Sequence, residues 1–242
     1  MQSVMTRTAT LRAPSGSMTD VFACARAQIY YNSKRKPLAQ VKRETGCSHI
    51  INGYLFNGSF QPVGWTVIDG KVISRDAYQD WGISIGSDGK PQMLTDRGGS
   101  FLSGVPLLKN GAKLERSLTP DVARSAARTA VGWMPDGRIC LWCDKTSLTR
   151  EQLQNKLLGL GVADALMLDG GGSTQGIFPN GKVASSRKVP TMVLFWEETH
   201  QEENTDLNWA GKSGILTEAQ LAEPEKAVTR RELAEILHRL QK

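Results

Sequence analysis

Eight Asn-Gly or Asp-Gly pairs punctuate this chain, beginning at Asn52, Asn57, Asp69, Asp88, Asn110, Asp136, Asp169 and Asn180. Such pairs accept the left-handed backbone of a tight hairpin turn, so their density predicts a body of short strands joined by short connections. The clearest hairpin is Trp65 to Ser74, two apolar strands around Asp69-Gly70, and Ala130 to Trp142 and Gly176 to Val183 read the same way. Helices are fewer. Thr149 and Gln152 have capping-box spacing, Leu153, Leu157 and Leu160 share one face, and Gly161 follows as a stop. Pro37 to Thr45 predicts a shorter helix, with proline in its first turn and Gly46 just past its end. The expected class is α+β: a β-rich mixed sheet with a few flanking helices, plus a small helical carboxyl-terminal appendage.

Both helices feed apolar strands that end on a polar residue followed by glycine. The first delivers Ile50-Ile51 to Asn52-Gly53, and the second delivers Ala165-Leu166-Met167-Leu168 to Asp169-Gly170-Gly171-Gly172-Ser173-Thr174. Four apolar residues in a row predict a strand buried on both faces. A carboxylate at the end of such a strand, before three glycines that offer bare N–H groups to an anion, is a pattern of chemistry more than of stability. Two such units suggest one shared site.

Composition narrows the class. The chain of 242 residues fits one large domain with an appendage, and no run approaches the roughly 18 apolar residues of a membrane span. The small, polar residues 1–19 predict a flexible arm, 20–198 the main domain, and 199–242 a linker and helical segment in which Leu233, Ile236, Leu237 and Leu240 share a face. No apolar leader is recognised near Met1, so the expected compartment is cytoplasmic. The net charge of +6 becomes +8 on residues 1–198, which suits an anionic small molecule. The densest basic run, Ser33-Lys34-Arg35-Lys36, reads as a solvated face, and with no stripe of cations and aromatics a nucleic-acid partner is not expected. Cys140 and Cys143 form half a zinc pattern without its second half, so they read as small buried hydrophobes and no metal or cofactor is expected.

Three blocks in order, Ile51-Asn52-Gly53-Tyr54-Leu55-Phe56, Ala127-Arg128-Thr129-Ala130-Val131-Gly132 and Leu168-Asp169-Gly170-Gly171-Gly172-Ser173, resemble the phosphodiester glycosidase family over about residues 20–197. Ser186-Arg187-Lys188-Val189-Pro190-Thr191 resembles its closing arginine segment. Two departures stand out: Tyr54 occupies a position where the family usually has glycine, and Lys188 and Val189 separate the arginine from Pro190. Trp209-Ala210, Gly214-Ile215 and Val228 to Ala234 resemble one degenerate S-layer-homology unit, although an amphipathic docking helix is the plainer reading. This layout is similar to versions carried by phages and Gram-positive bacteria.

The resemblance implies a hydrolase acting on a sugar phosphodiester. Cleavage at the anomeric carbon needs a carboxylate there, but a phosphate leaves as a stable anion and needs positive charge around it instead. Asp169 is the candidate carboxylate, as nucleophile or as base toward water, with Arg128 and Asn52 as further catalytic candidates. Gly170, Gly171, Gly172, Ser173, Thr174, Thr129 and Arg187 are candidates for holding the substrate, the arginines because guanidinium pairs with phosphate in a fork. Two alternatives carry different partners: a non-catalytic protein that sequesters a phosphorylated sugar or signalling nucleotide, and an accessory protein bound to a cell-wall polymer. The oligomeric state is open.

Overall fold

The computed structural model describes residues 16–75 and 80–198, together with Ile236. The chain divides into two compact units, Met1–Glu198 and Thr199–Lys242. Ile236 is helical, and the remainder of the expected carboxyl-terminal helix lies outside the described residues, as does most of the expected amino-terminal arm. Ser17 to Thr19, at the end of that arm, belong to the first strand.

In chain order the elements begin with β1 (Ser17–Phe22), β2 (Cys24–Tyr31), α1 (Leu38–Thr45), β3 (His49–Asn52), β4 (Thr66–Ile68) and β5 (Lys71–Ser74). There follow β6 (Gly82–Ile85), β7 (Pro91–Leu94), β8 (Ser100–Ser103), β9 (Val105–Lys109), β10 (Ala112–Lys113) and α2 (Pro120–Ala123). The last are β11 (Ala126–Trp133), β12 (Ile139–Leu148), α3 (Arg150–Gly159), β13 (Asp164–Met167), β14 (Gly176–Phe178), β15 (Gly181–Val183) and β16 (Thr191–Glu197). They build three sheets, ordered β1-β12-β11-β13-β9-β10, β15-β14-β3-β16-β2 and β5-β4-β8-β6-β7.

The β-rich body with few helices is as the turn pairs imply. At β4–β5, Asp69 and Gly70 take φ of 50° and 76°, and Asn110 and Gly111 take 51° and 74° between β9 and β10. Both central residues left-handed is the turn that matches strand twist. Thr149 caps α3 with the full reciprocal box, and Gly46 ends α1 with φ of 66°.

The expected mixed sheet is not what forms: every pairing among the described strands is antiparallel. Parallel pairing needs a crossover connection between the paired strands. Here α1 instead delivers β3 between β14 and β16, and α3 delivers β13 between β11 and β9, each neighbour running the other way. One large apolar cluster fills the interior, including Ile51, Val131, Leu141 and Leu166, and a smaller one around Val41, Ile50, Val189 and Leu194 underlies α1.

Candidate functional site

The ends of β3 and β13 meet where the first and second sheets adjoin. The Asp169 N–H donates to the carbonyl of Gly53 at 3.1 Å, and Leu168 N–H donates to that of Thr129 at 2.9 Å. Only glycine fits at position 53, because a Cβ there would stand 2.2 Å from Thr191 Oγ1 and 2.8 Å from the Thr191 carbonyl carbon. At position 170 a Cβ would stand 2.5 Å from the carbonyl oxygen of Ala127. The chain therefore turns immediately after Asp169, and Gly171–Ser173 closes one 3-10 turn with Gly171 at φ 56°.

Asp169 is half-buried. Its Oδ1 accepts the Gly170 N–H at 2.8 Å. Burial pushes its carboxyl above the ordinary value, opposed by hydrogen bonds from Ser173 and the Gly170 N–H and by the charge of Arg187. Arg187 in turn donates through Nη1 to Ser173 Oγ at 3.4 Å, so Ser173 stands between the arginine and the acid. Ser185 Oγ accepts the Arg187 N–H at 3.1 Å and donates to the Gly172 carbonyl at 2.6 Å, fastening the arginine loop to the glycine turn.

Arg128 is buried on β11, at 3% exposure, with its guanidinium donating to three carbonyls. Nε donates to Leu148 at 3.0 Å, Nη1 to Val122 at 3.3 Å, and Nη2 to Arg124. Burial, then the charge of Arg124, pushes its guanidinium below the ordinary value. Among the described residues none of Arg124, Arg128 and Arg187 forms an ion pair with a carboxylate. A buried cation without a counter-ion is expensive, which makes the site receptive to an anion.

Asn52 is fully engaged inside the protein. Nδ2 donates to the carbonyls of Gly53 at 3.0 Å and Asp169 at 2.8 Å, while Oδ1 accepts Thr129 Oγ1 at 2.7 Å and Gln175 N–H at 3.1 Å. Two donors and two lone pairs exhaust its capacity. Asn52 therefore positions Asp169, and Thr129, whose hydroxyl is committed to Asn52, supports it. Thr174 is buried, its carbonyl accepting Lys145 Nζ at 2.5 Å, and its hydroxyl has no hydrogen-bond partner among the described residues.

The cleft over this arrangement has a volume of about 130 Å³ and is lined by Asp169, Gly170, Gly171, Gly172, Arg128 and Arg187, with Tyr54, Leu55, Asp121 and Arg124. Tyr54, the departure noted in the sequence, lines this cleft and is buried at 1% exposure. Asp121 and Arg124, from α2 and its end, were not singled out by the sequence; Pro120 after Thr119 is the helix-start signal that could have found them. The Thr119 hydroxyl holds the Asp121 carboxyl below its ordinary value. A larger cavity of about 310 Å³ beside Lys90 and Arg138 is a poorer anion site, because Lys90 pairs with Glu198 at 2.8 Å and Arg138 with Asp136 at 2.8 Å.

The four cysteines are buried thiols. Burial pushes Cys140 and Cys143 up to about 12 and Cys24 up to about 11.

Residues 45–196 match the sequence model of the phosphodiester glycosidase family. The chain belongs to that family. Its fold is similar to the catalytic domain of zebrafish N-acetylglucosamine-1-phosphodiester alpha-N-acetylglucosaminidase, auto-inhibited by its pro-peptide, at a TM-score of 0.57 and 20% identity over 78% of this chain and 85% of that one. It is also similar to a hypothetical protein from Synechocystis, at a TM-score of 0.54 and 15% identity over 76% of this chain and 57% of the other. No curated protein sequence matches. All three blocks named from the sequence fall within the matched residues of this phosphodiester glycosidase domain.

Proposed function

We propose that this chain hydrolyses the glycosidic C–O bond of a sugar phosphodiester, with Asp169 at the anomeric carbon and Arg128 and Arg187 at the phosphate. The observation that carries the reading is one half-buried carboxylate sharing a cleft with the buried Arg128, which pairs with no carboxylate among the described residues. Family membership supplies the reaction class.

The anomeric C–O bond breaks and its electron pair leaves on the phosphate oxygen, giving a phosphomonoester. An alkoxide would need a proton to depart, but a phosphate needs its developing charge stabilised, and preorganised guanidinium groups do this without reorganisation. Arg128 is held rigidly by three carbonyls, and Arg187 is tied to the glycine turn through Ser185 and Ser173. Gly171 and Gly172 line the same cleft, and in this reading their N–H groups complete the anion contact.

Asp169 works ionised. As base it takes a proton from the water that attacks the anomeric carbon; as nucleophile it forms a glycosyl ester that water then hydrolyses. Either route ends in free sugar. The Ser173 hydroxyl and the Gly170 N–H hold the carboxylate's orientation.

The test is anomeric NMR on a panel of sugar phosphodiesters and nucleotide sugars, with wild type and Asp169→Asn. Release of free sugar by wild type alone supports the reading. Tight binding with no turnover by either protein rejects it and favours sequestration of a phosphorylated ligand.

A further inference from the structure

The phosphodiester reading uses Arg187 but leaves unexplained what lies behind it. The Arg187 guanidinium stands over the ring of Phe56, 5.9 Å from its centroid. Phe56 meets Phe60 edge to face at 5.7 Å, and Arg35 covers Phe60 at 4.5 Å. Two half-buried rings thus carry an exposed guanidinium at each end. The run Ser33 to Lys36, expected to be a solvated face, is exposed at Ser33, Lys34 and Arg35; within it Lys36 pairs with Glu44, whereas Arg35 pairs with no carboxylate among the described residues.

The backbone marks the same contact. Four described residues other than glycine have positive φ, and two of them, Asp69 and Asn110, are ordinary because each precedes the glycine of a hairpin turn. The other two are Arg35 at 52° and Phe60 at 64°, and they touch each other. A bulky side chain in this region is strained and persists only where its surroundings impose it.

Two asparagines impose it here. Buried Asn32 accepts the Lys36 N–H on Oδ1 at 2.8 Å and donates through Nδ2 to the carbonyls of Lys36 and Val189, each at 2.9 Å. Its own N–H donates to the Pro190 carbonyl at 2.7 Å. Asn57 Oδ1 accepts the N–H groups of Ser59 and Gln61 at 3.0 Å each, and its carbonyl accepts Phe60 N–H at 3.0 Å. Asn32 therefore ties the Arg35 turn to the segment that follows Arg187. The Val189 carbonyl is one of the anchors.

The cleft, at about 130 Å³, is well short of the roughly 300 Å³ at which pockets begin to enclose a ligand. Arg187 lines the cleft and stands over Phe56, so a leaving group that extends past Arg187 meets the ring pair just outside the cleft. We infer that Phe56, Phe60 and Arg35 form a subsite for this leaving group, and that its preferred occupant bears a second phosphate. The inference rests on the phosphodiester reading for its orientation. Arg35 and Arg187 cap the two ends of the ring pair, so the two read two anionic groups on one molecule.

The experiment compares two synthetic substrates, N-acetylglucosamine 1-(methyl phosphate) and the same sugar 1-phosphate esterified to 3-phosphopropanol. Wild type is expected to favour the second in kcat/KM, and Arg35→Ala to lower that selectivity ratio about tenfold. Arg138→Ala, which removes a cation on the β11–β12 turn, is expected to leave the ratio unchanged. A ratio that Arg35→Ala does not move, or that Arg138→Ala moves equally, overturns the subsite. If wild type cleaves neither substrate, either N-acetylglucosamine is not its sugar or the hydrolase reading fails, which the wider panel separates. Calorimetry with 1,3-propanediol bisphosphate against propyl phosphate then decides the subsite: a preference removed by Arg35→Ala supports it, and no preference, or one that survives, overturns it.

Discussion

Asn52 Nδ2 donates to the carbonyl oxygen of Asp169 at 2.8 Å, joining residues 117 positions apart. This bond and its three companions fix the candidate carboxylate to the end of another sheet. Asn52→Ala orphans several buried groups at about 1–3 kcal/mol each, so the expected loss is about 3 kcal/mol in urea unfolding, together with loss of turnover. Asn52→Asp keeps the acceptor but loses both donated bonds, and it too is expected to be inactive. A stable and active Asn52→Ala would contradict the positioning role.

Gly53 offers a sharper test of the same joint. A Cβ would meet the Thr191 carbonyl carbon as well as its side chain, so Thr191 cannot simply rotate away. Gly53→Ala is expected to cost about 1–3 kcal/mol through overpacking, and more if the backbone cannot yield. It should also reduce activity, because the Gly53 carbonyl receives the Asp169 N–H. Circular dichroism melts and kinetics on the same preparation check both.

The raised Asp169 carboxyl has a definite sign. The folded chain holds this proton more tightly than the unfolded chain, so the stability it contributes is complete below the ordinary value near 4 and is lost as pH rises through the folded value. Above that value wild type carries the penalty of a buried charge, and Asp169→Asn does not. The stability advantage of Asp169→Asn is expected to grow as pH rises from about 4 to 7, as read from denaturation midpoints. For the same reason the acid limb of wild-type kcat/KM should lie above the range of an ordinary aspartate. An advantage that shrinks with rising pH would remove the basis for this acid's role.

Much of this was legible in the chain, and the reasons differ by element. Hairpins at Asp69 and Asn180 and the α3 cap at Thr149 are set by residues within a few positions of each other, so local chemistry suffices. Gathering Asn52, Arg128 and Asp169 at one place was also readable, because each ends or occupies an apolar strand that has to be buried. Strand direction was not readable: a helix that feeds a strand does not say which neighbours the strand will take, and the choice of distant neighbours makes every pairing among the described strands antiparallel. The roles within the site were equally hidden. Nothing local distinguishes an asparagine that contacts ligand from one saturated by Thr129 and Gln175. Arg35 and Phe60 meet through loops 25 positions apart, a contact invisible to any periodicity.

Arg128 and the anion can be separated from the acid. Inorganic phosphate is expected to raise the wild-type melting temperature by mass action, and to do so far less in Arg128→Met. With substrate, Arg128→Met should lose about 100- to 1,000-fold in kcat, the scale for removing one preorganised donor at a developing anion. Equal phosphate stabilisation of both proteins would place the anion elsewhere.

The central claim concerns which bond breaks. The most direct measurement is hydrolysis of a sugar phosphodiester in water enriched in oxygen-18, with mass spectrometry of both products. Label on the anomeric carbon of the released sugar, and none in the phosphate, is the result this account expects. Label in the phosphate would mean attack at phosphorus, and would contradict the role given to Asp169.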